Sequence, residues 1–167
     1  RRAGDKVRSW LNPVASDALP DGLRIISPVM IPFNPVSLVR AFNRRSVVAA
    51  VTKAMREWDM HAPILLATVP NASDYIGQLG ERLTVYYCVD DFSVWPGMNL
   101  PSMVRGMEER LLDGSDLVIT VSAELQATRR GRSGETRLLT HGVDVEHFRH
   151  ASNPQPRPDS LAAISGP

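Results

Sequence analysis

The chain has 167 residues, a length that fits about one domain and is sufficient to bury a hydrophobic core. Hydrophobic residues make up 43% of it and charged residues 22%, as in ordinary globular proteins. Nineteen basic and eighteen acidic residues leave a formal net charge of +1, so we expect no nucleic-acid partner.

The N-terminal third predicts an irregular segment, then a strand and then a long helix. Residues 1–22 show no regular pattern, and then "LRIISP", a short apolar run closed by Pro28, predicts a buried strand. Asn34 and Pro35 are suited to the cap and first turn of a helix that continues to Trp58. Apolar residues recur in it at three- and four-residue spacing, which predicts an amphipathic helix packed on a sheet; they are Val39, Phe42, Val48, Val51, Met55 and Trp58.

The next segments continue the alternation of strand and helix. "PILLATV" (63–69) and "RLTVYYCV" (82–89) are predicted strands, and between them "NASDYIGQLG" predicts a short helix that Asn71 caps. "LPSMVRGMEERLLDG" predicts a helix, since Pro101 stands near its start and Gly114 just past its end.

The last regular segments are two further strands and the helix between them. "DLVITV" (116–121) and "TRLLT" (136–140) predict the strands, and Ser122 is suited to cap the helix. Apolar strands that alternate with helices are typical of a parallel sheet covered on both faces. We therefore predict an α/β, Rossmann-like, doubly wound domain of about five strands over residues 23–148. Residues 149–167 carry four prolines and have the composition of a linker.

Two neighbouring acids, Asp90 and Asp91, follow the strand at 82–89. In an open parallel sheet, ligands bind beyond the carboxyl ends of the strands, where a carboxylate could contact a sugar hydroxyl or take its proton. Aspartate also begins turns by accepting hydrogen bonds from downstream amides, so both interpretations stay open. Phe92 and Trp95, in the loop that follows, could stack on a sugar or pin the loop to the core.

A second candidate position is His141, which follows the last strand. Histidine exchanges protons readily near neutral pH, and it also serves as a structural hydrogen-bonding group. The spacing of His141, His147 and His150 matches no zinc pattern, so we predict no metal site. Arg129, Arg130, Arg132 and Arg137 form the one dense basic patch, which we interpret as a solvated helix end, with a contact to an anion or an acidic lipid as the alternative.

Three segments resemble the N-terminal half of bacterial GT-B glycosyltransferases of the family 1 and family 4 type. They are "VYYCVDDFSVWPG", "MEERLLDGSDLVITVSAEL" and "RLLTHGVDVEHF", in this order. Asp90 and Asp91 match the family pattern, as do the interdomain-motif residues Gly142, Val143, Asp144 and Phe148. Two positions depart from it: Tyr87 replaces a polar residue, and His141 stands where Asn is usual.

This resemblance implies an acceptor-binding domain whose donor-binding partner domain lies outside the chain. It implies that Tyr87, Asp90, Asp91, Trp95 and His141 line the acceptor side of the cleft, with no catalytic residue assigned. The chain itself would hold no cofactor, because a nucleotide-sugar donor would bind the other domain. The fragment alone would then be inactive.

The expected function is transfer of a sugar from that donor to a glycan or lipid-linked acceptor, in the cytoplasm at the inner membrane face. A peripheral membrane contact belongs to this expectation. One alternative is a non-catalytic Rossmann-like binding module, and another is a fragment of a nucleotide-dependent epimerase or dehydrogenase. The single Cys88 excludes an internal disulfide and suits a reducing compartment. No apolar run approaches the roughly 18 residues needed to span a bilayer.

Overall fold

A computed structural model describes residues 20–32, 35–94, 100–130 and 134–149. Within these ranges the strands are β1 (Ile64–Ala67), β2 (Leu83–Cys88), β3 (Leu117–Thr120) and β4 (Glu135–Leu138). The α-helices are α1 (Ser37–Glu57), α2 (Pro101–Asp113), α3 (Ala123–Arg129) and α4 (Val145–Arg149). Two 3₁₀ helices, Pro70–Asp74 and Phe92–Val94, complete the regular elements that are described.

The four strands form one parallel sheet in the order β1-β2-β3-β4. Helices flank this sheet, so the predicted α/β, Rossmann-like architecture is confirmed. The order of the strands in the sheet is the same as their order in the chain. The described strands therefore contain no reversal of strand order. In doubly wound sheets that reversal marks the point where ligands bind.

The core lies on the face of the sheet that α2 and the first 3₁₀ helix cover. Register pairs Ala67 of β1 with Tyr86 of β2, and Tyr86 with Val118 of β3, so these three side chains share one face. They form a single buried cluster together with Ala72, Cys88, Leu111 and Leu112. On the opposite face Ile64 and Leu66 of β1 are 52% and 58% exposed, so the apolar packing is one-sided at β1.

Four predicted strands are confirmed to within one or two residues, but the predicted strand at Leu23–Pro28 is wrong. Residues 20–32 contain a turn and irregular backbone, and the side chains of Leu23 and Ile25 are about half exposed. Asn43 of α1 holds the end of this segment, because its side chain accepts from Ile31 N–H (2.8 Å) and donates to Ile31 C=O (2.9 Å). A short apolar run does not by itself determine a strand to pair with. Without this segment, the described sheet has four strands where about five were predicted.

Helix α1 differs from its prediction in its start and in its buried face. It begins at Ser37 after Val36, with no side-chain cap, and Pro35 precedes the helix, while Asn34 lies outside the described residues. Phe42 and Trp58 were predicted to pack on the sheet, but they are 46% and 43% exposed. The buried residues of the helix are Asn43 and Val47, so a polar side chain lies at the centre of its packed face.

The segment predicted as a short helix from Asn71 is a 3₁₀ helix that starts at Pro70. Val69 is its N-cap, so Asn71 lies inside the element and caps nothing. The side-chain oxygens of Asn71 and Ser73 are buried and accept no hydrogen bond from the described residues. Proline suits the first turn of a helix, which explains the shift of the start by one residue.

The predicted ends of α2 and the cap of α3 are confirmed. Helix α2 begins with Pro101 and ends before Gly114, and Ser122 Oγ accepts from Leu125 N–H at 3.2 Å. Gly134 has φ +76°, and a Cβ there would lie 2.5 Å from the carbonyl oxygens of Ser115 and Asp116. Glycine is therefore required where the chain enters β4. No helix in the described part of the chain is both long and apolar enough to cross a bilayer.

Candidate functional site at the carboxyl edge of the sheet

Tyr87 and His141 meet at the carboxyl edge of the sheet. Tyr87 belongs to β2 and His141 follows β4, so the contact passes over the end of β3. Tyr87 Oη lies 3.5 Å from His141 Nδ1, and the two rings are edge-to-face with centroids 6.4 Å apart. This distance is long for a hydrogen bond, so both polar atoms keep capacity for a ligand. His141 is exposed and Tyr87 half-buried.

Asp90 and Asp91 are adjacent in sequence but have different surroundings. Asp90 is exposed, and its Oδ1 accepts from the Asp91 backbone N–H at 2.8 Å. Asp91 is half-buried and accepts through Oδ1 from both Ser93 N–H (3.0 Å) and Ser93 Oγ–H (2.6 Å). Asp91 therefore forms the turn into the Phe92–Val94 helix, while Asp90 faces solvent.

The charge state of Asp91 follows from these contacts. The hydroxyl of Ser93, and then its backbone N–H and Arg129, lower the pKa of Asp91, and burial opposes them only in part. Asp91 is thus an ionised anchor for the loop near neutral pH. Phe92 begins the 3₁₀ helix and is half-buried, and Trp95 lies outside the described residues.

The interdomain-motif residues follow His141 directly along the chain. Gly142 is exposed, and a Cβ at this position would have nothing within 4 Å of it. Asp144 Oδ1 accepts from His147 N–H at 3.0 Å and so caps helix α4. Phe148 is 59% exposed and contacts the ring of His147 edge-to-face at 5.3 Å. The predicted linker lies outside the described residues after Arg149.

A buried charged cluster, not predicted from the sequence, lies beneath the loop that follows β2. Arg129 Nη2 donates to both carboxylate oxygens of Glu108 at 3.1 Å each, and it lies 3.4 Å from Asp91 Oδ2. Tyr86 Oη–H donates to Glu108 Oε1 at 3.0 Å, and the Cys88 thiol lies 3.8 Å from the same oxygen. We call Tyr86, Cys88, Asp91, Glu108 and Arg129 the Glu108 cluster.

The Glu108 cluster corrects the interpretation of the basic patch. Arg129 was predicted to be a solvated cation at a helix end, but it is 8% exposed, and Glu108 is 5% exposed. The remaining described members, Arg130 and Arg137, are exposed as expected, and Arg132 lies outside the described residues. The sequence did carry one signal: Glu108 falls on the apolar stripe of α2, whose other buried members are Val104, Met107, Leu111 and Leu112.

Ionisation in the Glu108 cluster is set by burial and by the paired charges. Burial would lower the pKa of Arg129, but the neighbouring Glu108 carboxylate outweighs it and raises that pKa, so the guanidinium stays charged. Burial, and then the charges of Cys88 and Glu108, raise the pKa of the Tyr86 hydroxyl, which remains a proton donor. Burial also raises the pKa of the Cys88 thiol, which makes it a poor nucleophile.

Two shallow concavities lie away from this edge, beside α1. One of about 140 Å³ is lined by Ser37, Arg40, Ala41, Arg44 and Asp74. The other, of about 370 Å³, includes Arg45, Lys53, Arg56 and Gln78 in its lining. Their basic linings make them competing places for an anionic ligand.

The donor set for a metal ion is sparse. Across the residues that the structure describes, no three His, Cys, Asp or Glu side chains are grouped so that they could hold a metal.

Comparison of the chain with protein-family models, with curated proteins and with solved structures found no match.

Proposed function

We propose that the chain is the acceptor-side domain of a nucleotide-sugar-dependent glycosyltransferase. The observation that supports this most is the meeting of Tyr87, from β2, with His141, which follows β4, and the exposed Asp90 follows Tyr87 by three positions in the chain. These groups lie at the edge where open parallel sheets bind their ligands. In this proposal a carboxylate, a phenol and an imidazole at this edge contact the same ligand.

The three groups suit recognition of a sugar. A carboxylate accepts hydrogen bonds from hydroxyls, and an imidazole can accept or donate one. The aromatic ring of Tyr87 gives an apolar surface for a sugar face. In this proposal their role is to position the acceptor hydroxyl, since correct orientation by itself lowers the barrier to transfer. Asp91 takes no part in contact with the acceptor, because Ser93 and Arg129 already occupy its oxygens.

The proposal places the donor on a second domain. Cations of that domain would stabilise the diphosphate as it leaves, which is where most of the electrostatic assistance is needed. The acceptor is a glycan or a lipid-linked sugar, presented at the inner face of a membrane. The exposed position of Asp90 and His141 at the edge of this domain is compatible with an acceptor that enters from solvent.

A transfer assay on the full-length gene product tests the proposal. Radiolabelled UDP-, GDP- and dTDP-sugars are incubated with the protein and a lipid extract, and label in the lipid and glycan fractions is counted. We expect Asp90→Ala and His141→Ala to lower transfer at least about tenfold, while the exposed Asp21→Ala leaves it unchanged. Unaltered transfer in both site variants would refute the assigned site.

The same samples separate the alternative functions. A wild-type protein that transfers no sugar, but oxidises or reduces a nicotinamide cofactor in the presence of a nucleotide sugar, would be a dehydrogenase. Binding of a glycan without any turnover would indicate a non-catalytic module.

A further inference from the structure

The buried side chain of Arg129 ties the loop after β2 to helix α3. Arg129 is the last residue of α3, and its guanidinium reaches Asp91 Oδ2 at 3.4 Å through Nη2 and 3.5 Å through Nη1. Asp91 in turn holds Ser93 and begins the Phe92–Val94 helix. Movement of Arg129 would therefore be transmitted to the residues that flank Asp90.

Glu108 fixes the guanidinium in place from the other side. One carboxylate accepts from Arg129 through both oxygens, and it also accepts from Tyr86. Arg129 Nη1 has a further acceptor in Thr128 Oγ1 at 2.7 Å. Both terminal nitrogens of the guanidinium thus have defined partners, which leaves Arg129 little rotational freedom.

Such a buried arrangement is not explained by stability alone. A buried ion pair is often no more stabilising than apolar residues of the same volume, since both charges must leave water. The Glu108 cluster also restricts the orientation of the loop that carries Asp90. A planar guanidinium can bind two carboxylates in only a few relative orientations.

We propose that Arg129 is a positioning residue that, held by Glu108, fixes Asp91 and so sets the place at which Asp90 meets the acceptor. This inference rests on the proposed function for the identity of the ligand. The mechanical link from Arg129 to the loop is independent of that function and can be measured without any ligand.

Three variants separate the link from general stability. Asp91→Asn keeps an oxygen for the Ser93 hydrogen bonds, but removes the charge that faces Arg129 and leaves the Glu108–Arg129 pair intact. Arg129→Gln removes the pair and the link together. The double variant Glu108→Gln, Arg129→Met leaves no unpaired buried charge, so it folds even where the single variant does not. Arg130→Gln is the matched control, because Arg130 is the exposed neighbour of Arg129.

The readout is the amide spectrum of the ¹⁵N-labelled chain without ligand. Ser93 N–H is bonded to Asp91 Oδ1 and Val94 N–H to Asp91 C=O, so exchange at these two amides reports the loop. We expect Asp91→Asn, Arg129→Gln and the double variant to speed exchange there about tenfold relative to the core amides of Tyr86 and Val118. Arg130→Gln should change neither.

A pH titration adds a second measurement, which a role of Arg129 in general stability alone would leave unchanged. The Ser93 amide shift should follow the ionisation of Asp91 with a midpoint below the ordinary aspartate range in the wild type, and closer to that range in Arg129→Gln. Exchange that rises equally in loop and core, or an unmoved midpoint, would overturn the positioning role. The transfer assay run on the same variants decides the proposed function separately: a wild type without transfer refutes that function, whatever the loop does.

Discussion

Two arginine–carboxylate clusters within the described residues differ in burial. In the Glu108 cluster the side chains of Arg129 and Glu108 are 9% and 6% exposed, at the end of β2. In the second, which we call the Asp74 cluster, Arg40 of α1 and Arg110 of α2 face Asp74 of the first 3₁₀ helix. Arg40 and Asp74 are 29% and 17% exposed there.

The difference in burial changes what each cluster can do. Water partly screens the Asp74 cluster, which fastens α1 to the first 3₁₀ helix and contributes less energy than a fully buried pair of the same kind. The Glu108 cluster is shielded from water, and every lost partner there leaves a charge unpaired. The Glu108 cluster also includes Asp91, the neighbour of Asp90 in the candidate site, whereas Arg40 and Asp74 of the Asp74 cluster line a shallow concavity beside α1.

The largest predicted effect is the loss of one member of the buried pair. Arg129→Ala should lower the free energy of unfolding by about 3–5 kcal/mol, because Glu108 would remain as an unpaired buried charge. Equilibrium urea unfolding followed by circular dichroism measures it. The double variant Glu108→Gln, Arg129→Met should recover most of that loss, and a double variant as unstable as the single one would contradict the charge explanation.

A smaller effect is expected from the hydroxyl that supports Glu108. Tyr86→Phe removes a hydrogen bond to a carboxylate without changing the fully buried ring, so the free energy of unfolding should fall by about 1.5 kcal/mol. Tyr87→Phe is the control, since its hydroxyl contacts His141 at the surface edge. A loss in Tyr86→Phe no larger than in this control would show that the hydroxyl does not support the pair.

A substitution in the partly exposed Asp74 cluster should destabilise the fold less. Arg40→Ala should reduce the free energy of unfolding by about 1 kcal/mol or less, since its pair with Asp74 is partly solvated. Lys53→Ala serves as the fully exposed comparison: Lys53 is 80% exposed and 3.9 Å from Glu57, so we expect no measurable change. If Arg40→Ala cost as much as Arg129→Ala, burial would not be what distinguishes the two clusters.

The smallest effect is the pH dependence that comes from Asp91. Its pKa is lowered in the folded state, so its contribution to stability is fully present above the unfolded pKa of about 3.9. That contribution is lost as the pH falls through the lower, folded pKa. Wild type and Asp91→Asn should therefore differ in urea midpoint at pH 7 and converge in strong acid, whereas a constant difference would exclude the ionised form as the cause.

The sequence predicted the parts of this fold that depend on continuous apolar runs. Runs of this kind led to all four strands, and the rule that a strand covered on both faces is apolar fits the inner strands β2 and β3, which are largely buried. Of the outer strands of the described sheet, β1 is exposed on one face and β4 (Glu135–Leu138) is mostly exposed. The run at Leu23 failed the same rule, since it lies exposed and Asn43 holds its end instead of a neighbouring strand. An apolar run therefore indicates a candidate strand, but whether it pairs and becomes buried depends on the tertiary fold.

The sequence predicted that the candidate residues lie at the carboxyl edge of the sheet, but not which contacts each of them makes there. Position after β2 placed Asp90 and Asp91 at the carboxyl edge of the sheet, but their different roles follow only from the structure, where Asp91 accepts from Ser93 and Asp90 is exposed. The meeting of Tyr87 with His141, 54 residues apart, depends on strand order, which local pattern does not encode. Arg129 was misassigned because a cation at a helix end is usually solvated, and its acidic partner lay on another helix.

The most direct test of this account is where a sugar binds the chain. The ¹⁵N-labelled protein is titrated with methyl and octyl glycosides of the common hexoses, and amide shifts are mapped onto the structure. We predict saturable shifts at Tyr87, Asp90 and His141 that are lost in His141→Ala. Shifts confined to the basic face of α1, at Arg45, Lys53 and Arg56, or no shift with any glycoside, would contradict the assignment of the acceptor site to the carboxyl edge of the sheet.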